Sequence, residues 1–220
     1  MAKGENPHML IMSATPIPRT LALILYGDLD ISVIDELPPG RKPVKTYAVN
    51  SKTRSRVYNF IEENVRNGMQ AYVVCPLVAE TEKSDLENAE MLAEKLKESY
   101  PHMRIGLMHG KMKAKEKDKT MSEFVSGDID VLVATTVIEV GVNVPNANIM
   151  AIENAERFGL SQLHQLRGRI GRGGEQAHCI LISDADNEIT KKRMDTMCES
   201  NDGFYISEQD LKLRGPGDFF

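Results

Sequence analysis

Between positions 162 and 174 the chain reads Gln162-Leu163-His164-Gln165-Leu166-Arg167-Gly168-Arg169-Ile170-Gly171-Arg172-Gly173-Gly174. Arg169 and Arg172 are three apart, a spacing that puts two side chains on one side of a helical turn. Gln165 lies one turn earlier on that side. Gly168 and Gly171 remove side chains beside the arginines, so a bulky partner can approach closely. The pair Gly173-Gly174 is expected to end the helix. Two guanidinium groups held together repel each other unless they share an anion. A polyphosphate suits them, because the planar fork matches phosphate oxygens and stays charged. An arginine pair alone also reads as a solvated helix face; the glycines and Gln165 weigh against that.

The remaining composition bounds what such a site can belong to. The 220 residues suffice for one large or two small domains. Hydrophobic residues make up 41% and charged residues 27%, the balance of a soluble globular protein. No apolar run approaches the ~20 residues needed to span a bilayer, and the start has no apolar signal core. Cys75, Cys179 and Cys198 lack metal-ligand spacing, and the first two sit in apolar runs as reduced core residues. A cytoplasmic protein without a membrane role is expected. Net charge is −5 and the pI about 5.6, so any contact with nucleic acid must be local.

The elements that must position the arginines follow from periodicity. Strands are expected at Val44–Val49, 71–75, Arg104–Met108, Val131–Ala134, 149–152 and 179–182. Amphipathic helices lie between them, one opened by Ser51 and another by a capping box at Ser84 and Glu87. Strands apolar on both faces, alternating with helices, mean an α/β fold: a parallel sheet with helices on both faces. Its ligands are expected at the carboxyl ends of the strands. Before it, Ile31 and Val33 alternate as in a strand, and Glu36-Leu37-Pro38-Pro39-Gly40-Arg41-Lys42-Pro43 reads as a stiff extended linker and domain boundary. After it, 183–220 reads as a short helical hairpin.

Two strand ends carry candidate contacts. Val131–Ala134 empties into Thr135-Thr136, whose hydroxyls and free N–H groups form an anion site or simply cap a helix. His109-Gly110-Lys111, with Lys113 and Lys115, suits a phosphate backbone, although a histidine there is more often structural. The domain has no aromatic platform for base stacking, so contacts should be insensitive to sequence.

Together these segments resemble superfamily 2 helicases. Gln165-Leu166-Arg167-Gly168-Arg169-Ile170-Gly171-Arg172 is similar to motif VI, Ser13-Ala14-Thr15 to motif III, Cys75-Pro76-Leu77-Val78 to motif IV, and the run from Thr135 to Pro145 to motif V. The resemblance implies a RecA-like (P-loop NTPase-type) sheet. It implies that Arg169, Arg172 and Gln165 act on ATP across a cleft. Gly141 and Asn143 would face the nucleotide, and Ser13 and Thr15 would relay its state. Many members have Asp where Asn143 stands; Asn keeps an acceptor for a ribose hydroxyl and loses the charge. Thr135, Thr136, His109 and Arg19 would hold DNA phosphates, while Arg193, Asp202 and Arg214 pin the hairpin.

Neither Gly-x4-Gly-Lys-Ser/Thr nor Asp-Glu-x-His occurs in the 220 residues. The expected organisation is therefore residues 1–35 as the trailing segment of a first motor domain, 36–182 as the second motor domain, and 183–220 as the start of a translocation hairpin that ends before its tip. ATP and Mg2+ would be held mainly by the first domain. Partners would be branched duplex DNA and the N-terminal motor and wedge domains of a parent chain. Within the superfamily the segments fit bacterial ATP-dependent DNA helicases that remodel stalled forks and Holliday junctions. Alternatives are the transcription-repair coupling translocase, half of a DEAD-box RNA helicase, or a domain that only binds DNA or protein.

Overall fold

The computed structural model describes residues 10, 12, 32–34, 36, 38–77, 82–135 and 142–214, the side chains of 82–84 and 214 excepted. Strands β1 (Lys45–Val49), β2 (Gln70–Val74), β3 (Ile105–Met108), β4 (Val131–Ala134), β5 (Ala147–Ile152) and β6 (His178–Ile182) form one sheet. The order is β1-β6-β5-β2-β4-β3, and every neighbouring pair is parallel. Helices α1 (Arg54–Arg66), α2 (Glu82–Ser99), α3 (Ala114–Ser126), α4 (Leu160–Arg167), α5 (Glu188–Glu199) and α6 (Gly203–Arg214) complete it. The α/β expectation holds.

The continuous apolar runs are explained by two-sided burial. Strand β2 is buried along its whole length. Its Ala71 and Val73 face a core with Ile61 of α1 and Ala89 and Leu96 of α2. Tyr72 and Val74 face the opposite core, with Phe124 of α3, Leu163 of α4, Met197 of α5 and Ile206 of α6. Helices α4, α5 and α6 thus cover the face that also holds Ile170 of the arginine stretch. Cys75 and Cys179 are buried, and burial pushes both thiols up to about 12, where they stay protonated.

Several local expectations change. Residues 32–34 form no strand. The linker is not extended: Arg41 N–H donates to the Pro38 carbonyl at 3.1 Å around Pro39 and Gly40, the latter at φ +81°. That is a type II turn, with proline setting its first corner and glycine its second. Ser51 opens a 3-10 turn, Ser51–Thr53, behind an Asn50 cap, rather than capping α1 itself. Helix α2 begins at Glu82, so Ser84 lies inside it rather than at its start.

Leu163 is fully buried where α4 meets the sheet. Leu163→Ala should cost ~2–5 kcal/mol of unfolding free energy, read as a lower denaturant midpoint at unchanged slope.

Candidate functional site

Helix α4 stops at Arg167, earlier than the glycine pair implies. Arg169 N–H donates to Leu166 O at 2.9 Å, and Ile170 N–H to Arg167 O at 3.4 Å, winding the chain once more before it leaves the helix. Gly171 then takes φ +72°, and its N–H donates to Ala147 O at 3.2 Å. Arg169 and Arg172 therefore share a loop, not a helical face, and Gln165 sits apart on α4. The glycines also have a different cause. A Cβ on Gly171 would lie 2.9 Å from Ala177 Cβ, and one on Gly173 would lie 2.4 Å from Pro145 O. Backbone conformation and internal contact require these glycines, rather than the approach of a partner.

Three guanidinium groups gather here. Arg172 donates to Val142 O at 3.5 Å and to Gly168 O at 3.4 Å, both long. Arg41, from the turn, donates to the same Gly168 O at 3.0 Å and to Ile170 O at 3.3 Å. Burial, then the neighbouring Arg172 charge, lowers the pKa of both Arg169 and Arg41. Burial pushes the Tyr72 phenol up to about 12, against the pull of Arg172 and Arg169. No carboxylate among the described residues pairs with Arg41, Arg169 or Arg172. This loop hangs at the amino end of β5, through Gly171 and Ala147. The expectation that all site residues gather at carboxyl ends fails for the arginines, because α4 runs back along the sheet before delivering them.

The carboxyl ends hold the other candidates. Met108 and Ala134 pair in register, and Thr135 N–H donates to Met108 O at 3.1 Å, which sets Thr135 beside His109. Thr135 is fully buried and its hydroxyl has no partner among the described residues; His109 Nδ1 is likewise buried without one there. His109 Nε2 lies 3.8 Å from the Glu90 carboxylate. Lys111, Lys113 and Lys115 are exposed around the start of α3, where the N-cap Lys113 donates its N–H to the Glu116 carboxylate at 3.0 Å. Asn143 is exposed next to Val142, beside the arginines. Ser13, Thr15, Arg19, Thr136 and Gly141, and the side chain of Arg214, lie outside the described residues.

A profile of the helicase conserved C-terminal domain matches residues 52–174, more than half of the chain and both groups of candidates. The chain belongs to this helicase C-terminal domain family. It is similar to the ATP-dependent DNA helicase RecG of Bacillus subtilis, 53% identical over 219 residues, 99% of this chain and 32% of that relative. The RecG of Thermotoga maritima is 52% identical over 221 residues, covering 100% of this chain and 28% of that protein. A solved structure of RecG bound to a three-way DNA junction superimposes with a TM-score of 0.80 at 50% identity, over 94% of this chain and 27% of that one. Yeast Dbp5 bound to RNA and ADP BeF3 matches at TM-score 0.57 and 18% identity over 87% of this chain and 48% of that one, a likeness of fold alone. The chain spans about a third of the length of the curated relatives it matches. Among the described residues no helix is long and apolar enough to cross a membrane.

In this helicase C-terminal domain the hairpin is tied to the arginine helix. Arg193 on α5 donates to Phe158 O at 3.2 Å and to Thr190 Oγ1 at 3.3 Å. Asp202 starts α6, its carboxylate accepting from Phe204 N–H at 2.8 Å. The stronger tie is one that sequence reasoning missed. Arg167 is only 2% exposed, and it donates to Met197 O at 2.6 Å, Thr46 Oγ1 at 3.1 Å and His164 Nδ1 at 3.3 Å. A usable signal existed: Leu160, Leu163 and Arg167 fall on one helical face, and the first two are core. Glu153 was also missed. It is buried at the end of β5, gripped by Arg54 Nη2 at 2.9 Å and Tyr58 OH at 2.6 Å.

His164 generates a pH prediction. Burial, then the Arg167 charge, holds its pKa near 4 rather than 6.5, and Arg167 needs an unprotonated Nδ1 as acceptor. The unfolded chain takes up a proton below pH ~6.5 that the folded chain refuses. The stabilisation is therefore whole above that pH and is lost as pH falls toward about 4. His164→Gln, neutral throughout, should lose less melting temperature than the wild type across this window. Separately, Gly173→Ala should lower stability by ~1–3 kcal/mol through its clash with the Pro145 carbonyl, measured by chemical denaturation.

Proposed function

We propose that this chain works as the rear motor portion of an ATP-dependent DNA helicase that remodels branched DNA such as stalled forks and Holliday junctions. In this reading residues 1–35 trail a first motor domain, 36–182 form the second, RecA-like motor domain, and 183–220 begin a translocation hairpin. The observation that carries it is the arginine group: cations packed against backbone carbonyls, with no carboxylate partner among the described residues. Such a group is suited to a phosphate anion, because its charge is uncompensated and its forks are partly fixed.

Arg169 and Arg172 then complete an ATP site across a cleft, with Gln165, Gly141 and Asn143 in support. Ser13 and Thr15 would relay the nucleotide state. ATP and Mg2+ are held mainly by a P-loop domain. Thr135, Thr136, His109 and Arg19 are the DNA backbone contacts in this reading. The orphaned Thr135 hydroxyl and His109 Nδ1 support it, since a buried polar atom without a partner costs ~1–3 kcal/mol that a phosphate oxygen would offset. Arg193, Asp202 and Arg214 pin the hairpin, so that cleft closure moves duplex DNA. Nucleotide and DNA would act together by biasing one two-state arrangement of the domains. We place this work in the cytoplasm. The RecG solved on a three-way junction supports the choice of branched DNA over RNA, for which only the fold of Dbp5 speaks.

The test joins the chain to a P-loop motor domain and measures phosphate release with a three-way DNA junction or single-stranded RNA. The 220-residue chain alone should release none. Arg172→Ala in the joined motor should cut turnover ~10³-fold or more, and the junction should activate far better than RNA. Undiminished turnover by Arg172→Ala would overturn the reading; activation by RNA alone would favour the RNA helicase alternative.

A further inference from the structure

Arg41 is distant in sequence from the arginine loop yet built into it. One of its terminal nitrogens bridges the carbonyls of Gly168 and Ile170, 127 and 129 residues away. Gly168 O also receives Arg172, but at 3.4 Å against 3.0 Å for Arg41. Arg41 is thus the firmly held cation and Arg172 the loosely held one. The far end of the loop passes close to the same turn: a Cβ added on Gly174 would lie 3.9 Å from Gly40 O. The Pro38–Arg41 turn therefore holds the near end of the loop that carries Arg169 and Arg172, through the Gly168 and Ile170 carbonyls, and lies close to its far end.

We propose that Arg41 is a positioning residue for the arginine site, fixing the Gly168 and Ile170 carbonyls from the Pro38–Arg41 turn and coupling that turn to the arrival of an anion. The proposal rests on reading Arg169 and Arg172 as a phosphate site. Its logic is electrostatic. Arg41 and Arg172 repel each other, which depresses the Arg41 pKa after burial has done so. The resting contacts of Arg172 are long, so a phosphate draws it away at little cost. Arg41 stays on its carbonyls, its charge now balanced by the anion. The shift of Gly168 is passed to the turn through the bridging Arg41 Nη2. Lysine keeps the charge but lacks the rigid planar group that aims Nη2 at both carbonyls, and glutamine keeps a donor but lacks the charge.

The test uses the 220-residue chain, inorganic tripolyphosphate as probe, amide NMR shifts and anion-free hydrogen exchange. In the wild type, tripolyphosphate should shift the amides of Arg169–Arg172 and also those of Gly40 and Arg41. In Arg41→Lys the affinity should fall about tenfold; the Arg169 shift persists while the Gly40 shift vanishes, a separation that loss of packing alone would not produce. Without anion, exchange across Gly168–Arg172 should run about tenfold faster in Arg41→Lys and Arg41→Gln. Arg172→Ala should lose the anion yet keep Gly168–Ile170 protected. Unchanged exchange in both Arg41 variants, or a Gly40 shift retained in Arg41→Lys, overturns the proposal. A wild-type chain that ignores tripolyphosphate removes the phosphate-site reading and the anion-coupling half with it. The exchange data, taken without anion, still decide whether Arg41 holds the loop. Should Arg41→Gln fail to fold by circular dichroism, Arg41→Lys carries the test.

Discussion

Three guanidinium groups share a small space, and what holds two of them, Arg41 and Arg172, is backbone carbonyl oxygen rather than carboxylate. A carboxylate would neutralise an arginine and occupy its fork. A carbonyl accepts the hydrogen bond and leaves the charge in place. The arrangement needs the Gly168 and Ile170 carbonyls aimed outward, and that orientation depends on the left-handed Gly171 and its bond to Ala147 at the start of β5. The loop is in turn backed by Tyr72 and Ile170 on a face of the sheet that is fully buried. A surface of cations is thus stable because the fold beneath it is rigid and apolar, not because the cations are individually satisfied.

The same face receives the hairpin. Met194, Met197 and Ile206 join the core that contains Leu163 and Ile170, so α5 and α6 are continuous with the packing behind the arginines. Arg167 and Arg193 add directed bonds across that contact, to Met197 O and Phe158 O. Arg167 is a buried cation without a carboxylate among the described residues, held by a hydroxyl, a carbonyl and an imidazole. Burying a charge on neutral acceptors is costly, and removing any one acceptor leaves the charge worse placed. This packing joins α4, the arginine loop and the first helix of the hairpin in one continuous core.

The carboxyl ends of the strands form a separate region. Glu153 locks Arg54 and Tyr58 at the end of β5, and Arg157 locks Asp85 of α2 with Nη1 at 2.7 Å. These pairs are satisfied and read as supports. Thr135 and His109, each one residue past β4 and β3, carry buried polar atoms without a partner among the described residues, as does Glu156 beyond β5. In the proposed motor, phosphate of ATP and phosphate of DNA would therefore be met at opposite ends of one sheet, with the rigid strands between them.

The sequence by itself determined the sheet and its helices, since apolar runs of strand length between amphipathic segments admit little else. It also determined which residue types stand at the strand ends and in the arginine loop, and it carried the family likeness. It misplaced the end of α4, because a Gly-Arg-Ile-Gly run can continue a helical turn or leave it, and only the close packing of Gly171 on Ala177 and of Gly173 on Pro145 decides. It read the Pro38–Arg41 segment as extended, because prolines restrict a chain without saying which way it bends. Arg41 was invisible as a site member for a deeper reason. Its partners are the carbonyls of Gly168 and Ile170, and a carbonyl has the same identity at every residue. Side-chain chemistry is written in the sequence; which backbone oxygens a side chain meets is settled only when distant segments are brought together.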